Sequence, residues 1–222
     1  MKTLARSLSI VALIGLAADA HAQSVLSYFN FNSLPTSGAI DVTAVAPNIG
    51  SGSLESNFST GIARANPGST VNAENADPAG IALAMGNVND INNGRYLQLN
   101  LSTEGFSGLT LSFAAARSSN GFNNNQFSYS TDGGEIFTNF GAPYDSPASV
   151  NYALRSFNLS TITALNDNSD VRFRIVFNGG NVGANFIDNL KVTAVVPAPS
   201  SIAVMALGGI APLLTLTRRR RK

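Results

Sequence analysis

Val171-Arg172-Phe173-Arg174-Ile175-Val176-Phe177 alternates apolar and polar side chains more regularly than any other segment of the chain. A period of two is the property of a β-strand that has one face in a core and the other in solvent. Arg172 and Arg174 are therefore expected to share the solvent-facing side of this strand.

Short apolar or aromatic runs of the same kind recur along the chain, separated by loops rich in Asn, Gly and Ser. Leu97, Leu99 and Leu101 alternate with polar residues, and residues 131–134 (Thr-Asp-Gly-Gly) form a turn signal that predicts a hairpin. The predicted strands are residues 25–31, 53–58, 61–65, 81–85, 96–101, 109–115, 127–130, 136–137, 155–159, 171–177 and 186–192.

Residues 23–196 are predicted to form one all-β domain, an antiparallel β-sandwich of the jelly-roll type. This segment of 174 residues is long enough for a core of its own, and no part of it has sustained helical periodicity. It also contains 25 Asn, a residue that favours turns and left-handed backbone positions. Loops between many short strands explain that composition.

Residues 1–22 have the three parts of a secretory signal peptide. Lys2 and Arg6 supply the basic region, residues 8–18 the apolar region, and Ala20-His21-Ala22 the small-residue cleavage site. Cleavage after Ala22 makes Gln23 the first residue of the mature chain. The alternative is an uncleaved anchor, which the well-formed cleavage site disfavours.

Residues 197–222 are predicted to contain a transmembrane helix followed by a basic tail. Residues 200–217 carry no charge, and eighteen residues at about 1.5 Å each reach roughly 27 Å, close to the thickness of a bilayer core. The basic residues that follow this run are expected to stay on the cytoplasmic side of the membrane, so residues 23–196 are expected to lie on its outer side. The tail residues are Arg218, Arg219, Arg220, Arg221 and Lys222.

The motif Val196-Pro197-Ala198-Pro199-Ser200, the apolar run and the basic tail together resemble the PEP-CTERM sorting signal of diderm bacteria. The resemblance covers about an eighth of the chain and departs from the family pattern at Ala198, where the family has Glu. It implies transient anchoring in the cytoplasmic membrane and recognition by an exosortase, a membrane-embedded cysteine transpeptidase. Removal of the signal then passes the protein to the cell surface, often among exopolysaccharide. A plain anchor without processing is the alternative.

The second half of the body resembles the galactose-binding-like or lectin-like jelly rolls of bacterial surface proteins. The resemblance rests on the Ser-x-Asp-Gly-Gly turn from Ser130, the Arg-Phe-Arg strand and Ile187-Asp188-Asn189-Leu190. It covers roughly residues 95–194 and implies a binding or structural module, often for carbohydrate.

Charge and residue types exclude several classes of function. Seven Lys or Arg against twelve Asp or Glu give residues 23–196 a net charge of −5, with no basic cluster, so nucleic-acid binding is not expected. The chain has no Cys and no Trp, and its one His, His21, leaves with the signal peptide. The mature chain therefore has no Ser-His-Asp triad and no thiolate or imidazole metal site.

Oxygen-bearing side chains leave one candidate metal site. Asn30, Asn32 and Asp188 are candidate ligands of a structural calcium, since calcium takes carboxylate and amide oxygens and the resemblance places such an ion near the first and last strands. The alternative for Asp188 is an Asx turn where the last strand begins. No other cofactor is expected. Asp167 and Asp170 lack the Gly and Glu of an EF-hand and are interpreted as a solvated loop.

Sugar binding and glycan hydrolysis need different side chains. Without Trp, stacking on a sugar ring is left to Tyr96, Tyr129, Tyr144 or Tyr152. A glycosidase needs two carboxylates about 5–9.5 Å apart. Carboxylates are available for such a pair, but none lies in a motif, so no catalytic residue is assigned. They are Glu104, Asp132, Glu135 and Asp145.

Three hypotheses for function remain. The favoured one is an exported, surface-sorted, non-catalytic structural or adhesive protein of the cell surface, biofilm or exopolysaccharide matrix. The second is a carbohydrate-binding module. The third is a carboxylate-based glycan hydrolase.

Overall fold

The computed structural model describes residues 23–59 and 63–196. Within these ranges the helical segments are two 3₁₀ turns, Val42–Ala44 and Thr163–Leu165, and no helix is long and apolar enough to cross a bilayer. The predicted signal peptide, the transmembrane segment and the sorting motif from Pro197 onward lie outside the described residues. The strands are β1 (Gln23–Phe29), β2 (Ile49–Gly50), β3 (Ser53–Ser56), β4 (Ala63–Pro67), β5 (Ile81–Asn87), β6 (Arg95–Leu101), β7 (Ser107–Arg117), β8 (Gln126–Ser130), β9 (Thr138–Asn139), β10 (Ser149–Asn158), β11 (Val171–Phe177) and β12 (Gly183–Val195).

The strands form two antiparallel sheets. In sheet A the order is β10-β7-β12-β1-β2, with β5 also paired to β12 and β4 paired to β5. In sheet B the order is β3-β6-β11-β8-β9. The predicted all-β antiparallel sandwich is confirmed. From β6 to β12 the chain passes from one sheet to the other at each step except the β8–β9 hairpin, which agrees with the jelly-roll interpretation.

The regularly alternating segment, residues 171–177, lies at the centre of sheet B as β11. Its burial alternates strictly along the strand, with Val171, Phe173, Ile175 and Phe177 buried and the residues between them half-buried. The two arginines therefore share the outer face, as predicted. Here and below, the outer face of a sheet is the one turned away from the other sheet.

Aromatic rings join the two sheets across the core. The rings of Phe127 on β8 and Phe157 on β10 stack with their centres 4.3 Å apart, and Phe173 lies 6.1 Å from Phe127. Residues 23–196 form one compact unit with this core at its centre. We therefore expect this segment to fold on its own.

The 13-residue strand β12 pairs along both of its edges. It pairs with β7 along one edge, and with β5 and then β1 along the other. A β-bulge interrupts the β12–β7 register between Asp188 and Lys191, and Asn189 there has a left-handed φ of 51°. Asn tolerates this conformation better than most residues.

Several predicted strand boundaries are wrong, including those of the last strand and of the hairpin. The last strand begins at Gly183, so Asp188 lies within it and not at its entry. The hairpin is present, but its second strand is Thr138–Asn139 and Ile136 is 70% exposed. The reason is the turn: the Asp132 carboxylate accepts a hydrogen bond from the Ile136 N–H at 3.1 Å, which keeps this residue in the loop.

Phe127→Ala is expected to lower the free energy of unfolding by about 3–5 kcal/mol, because the ring is fully buried between the sheets. Urea denaturation of residues 23–196 measures the change. Ile136→Ala, in the adjacent exposed turn, is the control and should change stability by less than about 0.5 kcal/mol. Similar losses in the two variants would contradict the assigned core.

Candidate functional site

A groove of about 430 Å³ lies on the outer face of sheet A. We call it the Phe186 groove. It is bordered by the end of β4, the end of β7 and the start of β10, and a side chain of β12 lies between them. Its lining includes Pro67, Gly68, Arg117, Ser118, Tyr152 and Phe186.

Small side chains on the neighbouring strands create the space around Phe186. This residue is paired with Ala84 on β5 and with Ala116 on β7. Ala82 and Ala114 lie two residues away on the same two strands and so share the outer face. The half-buried Phe186 ring is therefore the largest apolar surface in this part of the sheet. Alternate alanines in the two strands that flank an aromatic residue are a sequence signal for such a hollow.

Tyr152 connects two borders of the groove. Its hydroxyl donates a hydrogen bond to the Pro67 carbonyl oxygen at 2.8 Å, which ties β10 to the end of β4. Burial raises the pKa of the Tyr152 hydroxyl to about 12, so the hydroxyl stays protonated at neutral pH.

Arg117 and its partner Asp145 form a border of the groove that carries no net charge. Arg117 Nε and Nη2 donate to the two carboxylate oxygens of Asp145 at 2.6 and 2.9 Å, and its Nη1 donates to the Ser119 carbonyl at 2.8 Å. The hydrogen bond to Asp145 raises the pKa of Arg117 further above its usual range. Because the pair is bidentate and neutral overall, this border offers planar polar groups without net charge.

Asp188 lies next to the groove and is fully buried. Its Oδ2 accepts a hydrogen bond from the Ser69 N–H at 2.7 Å, and its Oδ1 accepts one from the Asn189 N–H at 2.8 Å. Burial raises the pKa of this carboxyl to about 7, although both hydrogen bonds act to lower it. The carboxyl therefore titrates near neutral pH.

Gly68 is required where the chain passes over Asp188. A Cβ at this position would lie 2.6 Å from Asp188 Oδ2 and 2.0 Å from the Ala79 carbonyl oxygen. Any larger residue would push this segment away from sheet A.

The loop between β4 and β5, residues 68–80, covers the outer face of sheet A beside the groove. We call it the covering loop. The Glu74 N–H donates to the Tyr28 hydroxyl at 3.1 Å, and Asn189 Nδ2 donates to the Ser69 carbonyl at 2.7 Å. Lys191 Nζ lies 2.8 Å from Glu74 Oε2. The loop is thus fixed to β1 and β12 by polar contacts.

The predicted calcium ligands do not present free oxygens to one point. Asn30 Oδ1 accepts from the Asn32 N–H at 3.1 Å, and Asn32 Oδ1 accepts from the Ile81 N–H at 2.8 Å. The Asp188 oxygens are engaged as described above. Residues 23–59 and 63–196 also contain no cluster of three His, Cys, Asp or Glu suited to a metal. The calcium site stays a prediction that these contacts do not support.

The four tyrosines predicted to stack on sugar lie in separate places. Tyr152 lines the groove. Tyr129 and Tyr144 pack against the core, and burial raises the pKa of the Tyr144 hydroxyl above its usual value. Tyr96 lies on sheet B, where the Arg174 guanidinium carbon is 4.0 Å from its ring centre.

A polar network occupies the outer face of sheet B. Arg174 Nε and Nη2 donate to Gln98 Oε1 at 2.9 and 2.6 Å, and Gln98 Nε2 donates to Asn100 Oδ1 at 2.7 Å. Asn100 Nδ2 donates to Glu55 Oε1 at 2.6 Å, and the Phe137 ring centre is 3.5 Å from the guanidinium carbon. These side chains satisfy one another, so this face is better explained as a surface network than as a ligand site.

The four carboxylates considered for hydrolysis are distributed over three loops. Glu104 is in the β6–β7 loop, Asp132 and Glu135 share the exposed β8–β9 turn, and Asp145 pairs with Arg117 before β10. A hydrogen bond from Ser130 lowers the pKa of Asp132, which fits a role in the turn. Asp167 likewise accepts the Gly105 N–H at 2.8 Å within a loop.

No protein-family model and no curated protein matches the chain. Among solved structures, it is similar to the CBM22-1 xylan-binding domain of Xyn10C from Paenibacillus barcinonensis, with 10% identity and a TM-score of 0.49 over 81% of this chain and 99% of that one. It is also similar to the xylan-binding module CBM15, with 12% identity and a TM-score of 0.42 over 71% and 94%. A third is TmCBM61 in complex with β-1,4-galactotriose, with 8% identity and a TM-score of 0.41 over 64% and 86%. At such identities and TM-scores, these likenesses assign no ligand to this chain.

Sequence reasoning missed Phe186 and Arg117 as groove residues. Phe186 was predicted only as part of the last strand, and Arg117 was assigned no role. The alternate alanines of β5 and β7 were the available signal. It is readable only once the three strands are known to be adjacent.

The stability of the protein is expected to depend on pH through Asp188. The carboxyl has a pKa of about 7 in the folded state and an ordinary value of 3.8, so the native state binds more protons between these two pH values. The free energy of unfolding should therefore fall by about 2 kcal/mol as the pH rises from 5.5 to 8.

Asp188→Asn should remove this dependence, because the titrating group is gone. Urea denaturation between pH 5.5 and 8 measures the slope, and Glu104→Gln, at an exposed loop carboxylate, should keep the wild-type slope. An unchanged slope in Asp188→Asn would show that another group is responsible.

Proposed function

We propose that this protein is an exported, non-catalytic carbohydrate-binding protein that takes a neutral glycan in the Phe186 groove. The observation that carries the proposal is an aromatic ring at the centre of a concave surface with polar groups at its border. A sugar ring has a C–H face that packs on an aromatic ring and a rim of hydroxyls that needs donors and acceptors. The groove volume lies within the range of about 300–1,000 Å³ that is usual for small-ligand sites.

The electrostatics of the groove favour a neutral ligand. Arg117 is neutralised by Asp145, and the Tyr152 hydroxyl is protonated at neutral pH. The Asp188 carboxylate is buried under the covering loop and does not face solvent. An anionic glycan would find no free cation among these groups, and a cationic one would find no free carboxylate.

The position of the groove suits display at a surface. Gln23 pairs with Val195, so both ends of the described domain lie at the same end of the sandwich. Phe186 lies nine residues before Val195 on β12, which corresponds to roughly 30 Å. A molecule held through its C-terminal segment would carry the groove away from the point of attachment.

The sorting signal is part of the same proposal. Export through the N-terminal signal peptide, membrane anchoring through the apolar run and processing by an exosortase would place the domain at the cell surface. The support is the Pro motif, the apolar run and the basic tail of residues 197–222. Ala198, where the family has Glu, is the departure from the family pattern.

A second candidate function is a purely structural or adhesive role. The side chains of Val88, Ile91 and Val182 are 54%, 57% and 50% exposed on two neighbouring loops, which are joined by a hydrogen bond from Asp90 N to Asn181 O at 3.2 Å. Exposed apolar side chains that lie close together favour a protein contact.

Phe186→Ala is expected to weaken glycan binding at least tenfold, because the stacking surface is lost. A microarray of neutral polysaccharides identifies the ligand, and affinity electrophoresis compares the variants of residues 23–196. Leu154→Ala is the matched control, since Leu154 is 54% exposed on β10 and is absent from the groove lining. Unchanged binding by Phe186→Ala would move the site elsewhere, and no retention on any glycan would favour the structural role.

Mass spectrometry of the surface-exposed protein tests the sorting proposal. Sorting by cleavage predicts a mature chain that begins at Gln23 and ends near Pro197. A surviving peptide containing Arg218–Lys222 in that fraction would show that the tail is only an anchor.

A further inference from the structure

Asp188 is a buried carboxylate whose hydrogen-bond partners are backbone N–H groups. Its contacts are the Ser69 N–H of the covering loop at 2.7 Å and the N–H of its own neighbour Asn189 at 2.8 Å. Ser69 directly follows Pro67 and Gly68, which line the Phe186 groove. A single hydrogen bond therefore links the carboxylate to the segment that forms this border of the groove.

Four hydrogen bonds from other parts of the chain hold segment 67–69 in place. The Tyr152 hydroxyl donates to the Pro67 carbonyl at 2.8 Å, the Gly68 N–H donates to the Gly80 carbonyl at 3.0 Å, and Asn189 Nδ2 donates to the Ser69 carbonyl at 2.7 Å. These three bonds are neutral. The fourth, from the Ser69 N–H to Asp188, is charge-assisted when the carboxylate is ionised, and such bonds are roughly twice as strong as neutral ones.

We propose that Asp188 is a positioning residue for the Phe186 groove: its ionised carboxylate holds segment 67–69 against sheet A, and its protonation loosens this border and weakens glycan binding. The ligand part of this inference rests on the proposed function. The positioning part rests on the contacts of Asp188 alone.

The close packing at Gly68 makes the border sensitive to this bond. The segment lies so near Asp188 that no side chain fits at residue 68. A carboxyl that gains a proton loses charge and one acceptor site directly beneath it, so a small shift of the segment changes the shape of the groove.

The other charged and titratable groups around Asp188 are already paired or ionise at a different pH. Tyr28 on β1 and Tyr152 on β10 have pKa values raised to about 12 by burial. Lys191 on β12 pairs with Glu74 of the covering loop. Asp77, also in this loop, accepts a hydrogen bond from Asn30 Nδ2 at 2.9 Å. On β7, Arg117 pairs with Asp145.

Residues 23–196 contain no His, so no imidazole titrates near neutral pH in this segment. Burial raises the pKa of Asp188 to about 7. A titration midpoint near pH 7 in the backbone of segment 67–69 therefore points to this carboxyl.

A ligand-free NMR titration tests the positioning role. The ¹H and ¹⁵N shifts of the Gly68 and Ser69 amides in residues 23–196 are followed from pH 5.5 to 8.5. We expect both amides to titrate with a midpoint near 7 in the wild type and to stay constant in Asp188→Asn. Constant shifts in the wild type, or the same midpoint in Asp188→Asn, would overturn the proposal.

Binding of xylohexaose and cellohexaose, two neutral β-1,4-linked probes, tests the effect on the groove. Titration calorimetry is expected to show at least fivefold tighter binding at pH 8 than at pH 5.5 in the wild type, and a ratio near one in Asp188→Asn. Tyr152→Phe is the matched control: it removes a neutral bond to the same segment, so it should weaken binding at both pH values and keep the ratio.

The two experiments separate failure of the inference from failure of the proposed function. Binding that is equal at both pH values in the wild type overturns the control of the groove by Asp188 and leaves the binding function standing. Titrating amides with no binding of either probe at any pH overturn the proposed function for these glycans and support the positioning role.

Discussion

The pairing of β12 along both of its edges organises sheet A and positions the candidate site. One edge is occupied by β7 and the other by β5 and then β1, so this single strand joins three other strands in one sheet. Its inner side chains, such as Val192 and Ala194, belong to the core, while its outer side carries Phe186 and Asp188. Stability and the candidate site therefore depend on the same thirteen residues.

A polar layer on the outer face of sheet A distinguishes this protein from a sandwich whose outer faces are merely solvated. The covering loop buries Asp188 and Asn189, and the hydrogen bonds between them and the loop join residues about 120 positions apart in the chain. Buried polar groups cost free energy unless they are hydrogen-bonded, and here the loop supplies the partners. The same contacts fix the border of the groove, which is why a buried acid and a binding surface are coupled.

Strand alternation made the body of the fold predictable, but not the site. The pattern of residues 171–177 and of the leucines near residue 99 gave the sandwich, because a period of two reports burial directly. Asp188 stood out in the sequence, yet calcium ligation was expected of it. One of the two backbone N–H groups that it binds, that of Ser69, comes from a distant loop that no local pattern reveals. Phe186 looked like any strand residue, since its exposure depends on alanines in two other strands. The export and sorting segments lie outside the described residues, so the sequence alone carries that prediction.

Mapping of a bound glycan by ¹H–¹⁵N chemical shifts locates the binding site directly. The measurement uses residues 23–196 and the strongest ligand from a neutral polysaccharide array. If glycan binds in the Phe186 groove, the largest shifts cluster at Phe186, Ser118, Tyr152 and Gly68. The largest shifts at Tyr96 and Arg174 on sheet B, or at the exposed apolar loops around Ile91, would contradict it.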